Sequence, residues 1–139
     1  MSSGATKKDL NFPLVFARYF LALVFLSAGL FRIFFPELAA QELISLGLPQ
    51  TLSSLIIIFE ISAGLLLIFN KQTKYVYFSL LLFLSTALFW GLLIAGPEII
   101  LSLEELFIFN LTPTDWLLHL IFLIITTWLF CDVVKLIKK

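Results

Sequence analysis

In IIIFEISAGLLLIFNK, residues 56–71, a single carboxylate, Glu60, is set among aliphatic and phenylalanine side chains until the run closes on Asn70 and Lys71. Read as a helix over 51–70, this stretch has about 20 residues, which at ~1.5 Å per residue nearly crosses the ~30 Å of bilayer hydrocarbon. A carboxylate at mid-depth costs about 2.5–3.5 kcal/mol on insertion scales, so the helix that carries it should face other helices rather than lipid. The stretch is therefore expected to be one span of a membrane bundle, with Glu60 turned inward.

The rest of the chain agrees with that reading. Of 139 residues, 61% are hydrophobic and 13% charged, whereas soluble domains carry about 25% charged residues. Mean hydropathy is +1.10. Three further apolar runs lie near 12–35, 75–96 and 114–134, and the short connections make one domain over 1–139 the expectation. The first run is longer than the ~7–15-residue core of a signal peptide and carries Arg18, so it reads as a retained helix. Cys131 is the one cysteine, which leaves no CxxC pair for dithiol chemistry.

Charge distribution sets an orientation. Lys7, Lys8, Lys71, Lys74, Lys135, Lys138 and Lys139 fall at the N-terminus, in the second connection and at the C-terminus. The connections 36–50 and 97–113 hold Glu37, Glu42, Glu98, Glu104 and Glu105 and no lysine or arginine. The positive-inside rule then places both termini in the cytoplasm and those two connections outside. Both are expected to contain short helical segments on the outer face. In 36–50, apolar residues recur at helical spacing until Gly47 and Pro49; 97–113 opens on Pro97 and gathers Ile99, Leu103, Leu106 and Phe107. The expected fold is an all-α, four-helix integral membrane bundle, N-in and C-in.

Partners for Glu60 should come from the first run. At ~100° per residue, Arg18, Phe25, Gly29 and Arg32 share one stripe about 60° wide. Measured from Pro36 and Thr51 as outer rims, Glu60 lies about 13 Å deep, Arg32 about 6 Å and Arg18 about 27 Å. Arg32 is the nearer, and its fork suits a carboxylate better than a lysine would. With tilt, Arg18 could reach Glu60 from below. The expected polar centre is Glu60, Arg32 and Arg18, either locking two helices together or forming a site, and Gly29 and Gly64 are expected to permit close helix packing.

In the fourth run, Asp115 and His119 are one turn apart and form a secondary candidate for proton handling. Trp90, aligned with Ser79 and Thr86, is another: it could line a pocket for a quinone-like or lipid-like ring together with some of the 16 phenylalanines. One histidine and dispersed carboxylates give no metal-ligand spacing. No phosphate loop, nucleophile elbow, HExxH or basic nucleic-acid patch occurs, so neither a self-sufficient hydrolase nor a nucleic-acid partner is expected.

Arg18, FLSAGLFRI (Phe25 to Ile33) and FEISAGLLLIF (Phe59 to Phe69) together resemble the DoxX family of small four-helix bacterial membrane proteins. The shared pattern is an early arginine, a glycine with a basic residue three positions later, and a glutamate four positions before a second glycine. Arg18, Gly29, Arg32, Glu60 and Gly64 occupy those places, with arginine at 32 where relatives commonly have lysine. The resemblance implies an inner-membrane protein that serves as accessory subunit of a quinone-linked or thiol- and sulfur-linked redox system. It is not expected to be catalytic alone; its partners would be the bilayer, a redox enzyme and further copies of itself, with quinone as candidate cofactor. The family also includes chaperone-like members, so a scaffold role stays open, as does a proton-coupled carrier using Glu60.

Overall fold

The computed structural model describes residues 12–95 and 116–137. The helical segment expected in 97–113 and the position of Asp115 lie outside the described residues. All secondary structure among those described is helical: α1 (Phe12–Phe34), α2 (Pro36–Ser45), α3 (Leu52–Ile68), α4 (Thr73–Ala95) and α5 (Trp116–Ile137). Segments of α1, α4 and α5 are long and apolar enough to cross a membrane. The helix expected over 51–70 is shorter, 17 residues in α3, or about 25 Å.

Local chemistry fixes where the helices stop. Pro36 begins α2 at a position where its missing N–H costs nothing, and Phe35, with φ −127° and ψ 62°, turns the chain between α1 and α2. At the end of α2, Gly47 takes φ +66°, its N–H bonds the Ile44 carbonyl at 2.9 Å, and the Leu48 N–H bonds that of Leu43 at 2.8 Å. This paired closure is a Schellman motif, which needs a left-handed residue after the cap. Asn70, φ 54°, plays the same part for α3: Asn70 N–H bonds Leu67 O and Lys71 N–H bonds Leu66 O. Asparagine tolerates that conformation better than most residues, which is why α3 ends before Asn70 although the apolar run continues through Phe69.

The helices pack chiefly as two pairs, α1 along α3 and α4 along α5. α1 and α3 run antiparallel, since Arg18, early in α1, meets Asn70 just past the end of α3, and Arg32, late in α1, meets Glu60 in the middle of α3. Their shared face uses Ala17, Leu21, Ala22, Phe25 and Gly29 from α1 against Glu60, Ala63, Gly64 and Leu67 from α3. Small residues dominate because, without a hydrophobic drive between helices in lipid, close backbone approach supplies the attraction. On the second pair, Val76, Tyr77, Leu80, Leu84 and Leu88 make the buried stripe of α4, and Thr126 and Leu129 are buried on α5. Thr126 and Thr127 return their hydroxyls to carbonyls four residues back. Phe25 and Phe59 meet Phe83 across the seam between the pairs, and Phe20 meets Phe122. Outward faces remain apolar: Leu23, Leu55, Ile58, Leu82, Phe89, Leu93 and Ile124 are all exposed, as expected of helices that meet lipid.

A β-carbon at Gly64 would sit 2.6 Å from Leu26 Cγ and 3.0 Å from the Ala22 carbonyl oxygen, whereas one at Gly29 would meet Ile61 Cγ1 at 2.7 Å and no backbone atom closer than 3.4 Å. Gly64→Ala is therefore expected to destabilise by about 1–3 kcal/mol, the range for overpacking, and Gly29→Ala by less, because Ile61 can shift its side chain. Thermal unfolding in detergent should rank Gly64→Ala below Gly29→Ala; the reverse order would contradict the packing described.

Candidate functional site: a shared guanidinium at the head of an aromatic cavity

Three helices bring charge to one point. Arg32 comes from the last turn of α1, Glu42 from α2 after the chain has turned at Phe35–Pro36, and Glu60 from the middle of α3. The Arg32 Nη1 and Nη2 groups donate to Glu42 Oε2 at 2.6 Å and Oε1 at 3.2 Å. Nε–H is shared between Glu60 Oε2 at 3.2 Å and Oε1 at 3.4 Å. One planar cation thus serves two carboxylates from two of its edges, an arrangement open to arginine and not to lysine. Glu60 is 3% exposed and is the one buried acidic or basic residue among those described.

α2 holds Glu42 in place through its packing. Ala39 and Leu43, four residues apart on one face, are buried, and Glu42 stands beside that face, within reach of Arg32. The far end of α2 is tied to the second helix pair, because Trp90 Nε1–H donates to the Leu46 carbonyl at 2.9 Å. Below the ion cluster a cavity of ≈ 360 Å³ opens between the pairs. Arg32, Glu42, Glu60, Ser27 and His119 give its polar lining; Phe25, Phe31, Phe83, Phe122, Val24, Leu84 and Leu118 give the apolar one. A concave, mostly apolar lining with a few polar groups is a form that small-molecule sites take.

The residues singled out in the sequence are distributed unevenly over this arrangement. Glu60 and Arg32 form a salt bridge, as depth suggested. Arg18 does not approach Glu60. It lies fourteen residues before Arg32 on the same helix, about 21 Å away along the axis, and α3 runs antiparallel, so at its level it finds Asn70: Arg18 Nη1 donates to Asn70 Oδ1 at 2.5 Å. Its guanidinium also stands 5.0 Å from the centre of the Tyr19 ring. Trp90 is at the rim rather than in the cavity, 39% exposed, since its indole N–H is committed to Leu46. His119 lines the cavity from α5. Gly29 and Gly64 lie in the α1–α3 seam. Among the described residues no group of three or more His, Cys, Asp or Glu side chains is placed to hold a metal ion.

Glu42 is the member that sequence reasoning passed over, having read it as one of several outward acidic residues. The available signal was its offset: Leu43 four residues after Ala39 marks the buried face of α2, and Glu42 borders that face.

Compared with known proteins, the chain matches the DoxX family model over residues 14–93, from α1 into the last turn of α4. No curated protein and no solved structure matches it.

Arg32→Met leaves two carboxylates facing each other without their cation, and stripping one partner from a buried ion pair costs on the order of 3–5 kcal/mol. Arg32→Lys is expected to recover only part of that loss, because an ammonium cannot hold both carboxylates edge-on. The triple variant Arg32→Met/Glu42→Gln/Glu60→Gln should regain most of the stability. Melting temperatures in detergent decide this; a lysine variant as stable as the native chain would show the fork to be dispensable.

Proposed function

The chain belongs to the DoxX family, and on that premise we propose that it is an integral membrane accessory subunit of a quinone-linked or sulfur-linked redox system. In this role it holds the ring or tail of a quinone-like or lipid-like molecule between its two helix pairs. The observation that carries the proposal is the cavity itself: four phenylalanine rings lie under a polar head made by Arg32, Glu42, Glu60 and His119. A scaffold that only joined other proteins would gain nothing from such a space. A packed seam between the pairs would serve it better.

The proposal includes four crossings of the bacterial inner membrane, with α3 as the second and both termini in the cytoplasm. The lysines at both ends and in the α3–α4 turn support it, as do the lysine-free outer connections. Glu60, Arg32, Glu42 and His119 are the proposed ligand-facing residues. Arg18 is assigned to the opposite end, where it ties α1 to the turn after α3. Chemistry would belong to a partner enzyme, with this chain presenting or protecting the ligand.

Purification from native membranes in mild detergent, followed by mass spectrometry of proteins and of small lipophilic molecules, tests the role directly. Co-purification of a stoichiometric redox enzyme or a retained quinone is the expected result. Recovery of the chain with bulk lipid alone would favour a scaffold. Reporter fusions after Gln72 and after Leu48 should read cytoplasmic and external respectively.

A further inference from the structure

Of the two arginines in α1, one is matched by anions and the other is not. Arg32 has two carboxylates within salt-bridge distance. Arg18 has none among the described residues, and its Nη1 donates to a neutral acceptor, Asn70 Oδ1. Its Nε–H is buried without an acceptor. A guanidinium stays charged and offers five N–H groups, and a charged donor left unpaired costs more than a neutral one. The fold gives this cation an amide and the ring of Tyr19, 5.0 Å away, but no anion.

The surroundings repeat that imbalance. Lys71 and Lys74, one and four residues after Asn70, are exposed. From the second pair, α5 brings Asp132 and Lys135 to the same end, since Phe130 meets Phe78 near the start of α4 and Tyr77 lies within electrostatic range of both Arg18 and Asp132. Asp132 makes no ion pair with Arg18. Against Arg18 and three lysines, one carboxylate leaves positive charge in excess whether or not it is ionised. Apolar surface adjoins this charge: Tyr19, Phe69 and Tyr75, next in sequence to Arg18, Asn70 and Lys74, are all exposed. An anion that suits both features carries its charge on an apolar body, and clustered basic residues beside a membrane helix attract anionic lipids.

We propose that the end of the bundle marked by Arg18 and Asn70 binds the phosphate of an anionic membrane lipid. Its oxygens accept from the Arg18 guanidinium and from Lys71 or Lys74, and its acyl chains run along the exposed aromatic side chains. Arginine's fork matches phosphate oxygens in geometry as well as in charge. The site lies at the opposite end from the Arg32 cavity and does not rest on what that cavity holds.

Native mass spectrometry of the full chain in detergent, titrated with phosphatidylglycerol or with phosphatidylcholine of the same acyl chains, reads the affinity of each lipid. Phosphatidylglycerol is expected to bind about tenfold more tightly. Arg18→Gln should bring the two lipids to within about twofold of each other. The double variant Lys71→Gln/Lys74→Gln changes exposed side chains only and should lower the preference by at least about threefold, which keeps the test decisive if Arg18→Gln fails to fold. Lys135→Gln, a cation of the same end on α5, should alter it by less than about twofold. Equal binding of the two lipids by the native chain overturns the proposal. So does a preference that falls as far with Lys135→Gln as with the other variants, since the attraction would then belong to diffuse charge. Displacement of phosphatidylglycerol by an equal concentration of inorganic phosphate overturns the lipid assignment and leaves a site for phosphate alone.

Discussion

The arrangement depends on one cation shared by two carboxylates in apolar surroundings. A buried Glu60 by itself would be among the costliest side chains a lipid-facing helix could carry. Paired with Arg32, it obliges α3 to lie against α1. Because Arg32 also holds Glu42, the same cation fixes α2 across the top of that pair. Buried ion pairs seldom add net stability over well-packed hydrophobic residues. What this one supplies is geometry, since a single side chain determines where three helices meet and puts their polar atoms at the head of a cavity.

The two helix pairs are then joined by different means. Within the α1–α3 pair the contact is close, because Gly29 and Gly64 let the backbones approach. Between pairs the contact is made by rings, Phe25 and Phe59 on Phe83 and Phe20 on Phe122, with the Trp90–Leu46 hydrogen bond at the rim. Large rings hold the pairs apart where glycines draw helices together. The cavity is the space left by that contrast, which explains why aromatic side chains surround it.

Much of this was legible in the sequence, for reasons of scale. Four apolar runs and one mid-run carboxylate are strong signals, and helical periodicity with ~1.5 Å per residue was enough to prefer Arg32 over Arg18 as partner of Glu60. The same arithmetic overreached with Arg18, because a shared stripe on one helix says nothing of which level on the neighbouring helix it meets. Antiparallel pairing set that level, and Asn70 was there. Glu42 was hidden for a different reason: its contact with Arg32 depends on the turn at Phe35–Pro36, a bend whose direction no periodicity reports. Trp90 was misplaced because a hydrogen bond to a carbonyl on another element cannot be read from spacing.

The left-handed turn at Asn70 has one more consequence, at the lipid boundary. α3 ends at Ile68, and Arg18 is level with the turn that follows, whereas α1 continues from Arg18 back to Phe12, about 9 Å further along its axis. Asn70, Lys71 and Gln72 therefore bring polar surface beside a helix whose Phe12 and Phe16 are still exposed. Where α1 lies in a bilayer along its whole length, this step sets polar side chains beside apolar ones, a local mismatch of the kind that bilayer thinning accommodates. Asn70 Oδ1 at that level gives the Arg18 guanidinium a polar partner, so the charge has an acceptor without leaving the helix seam.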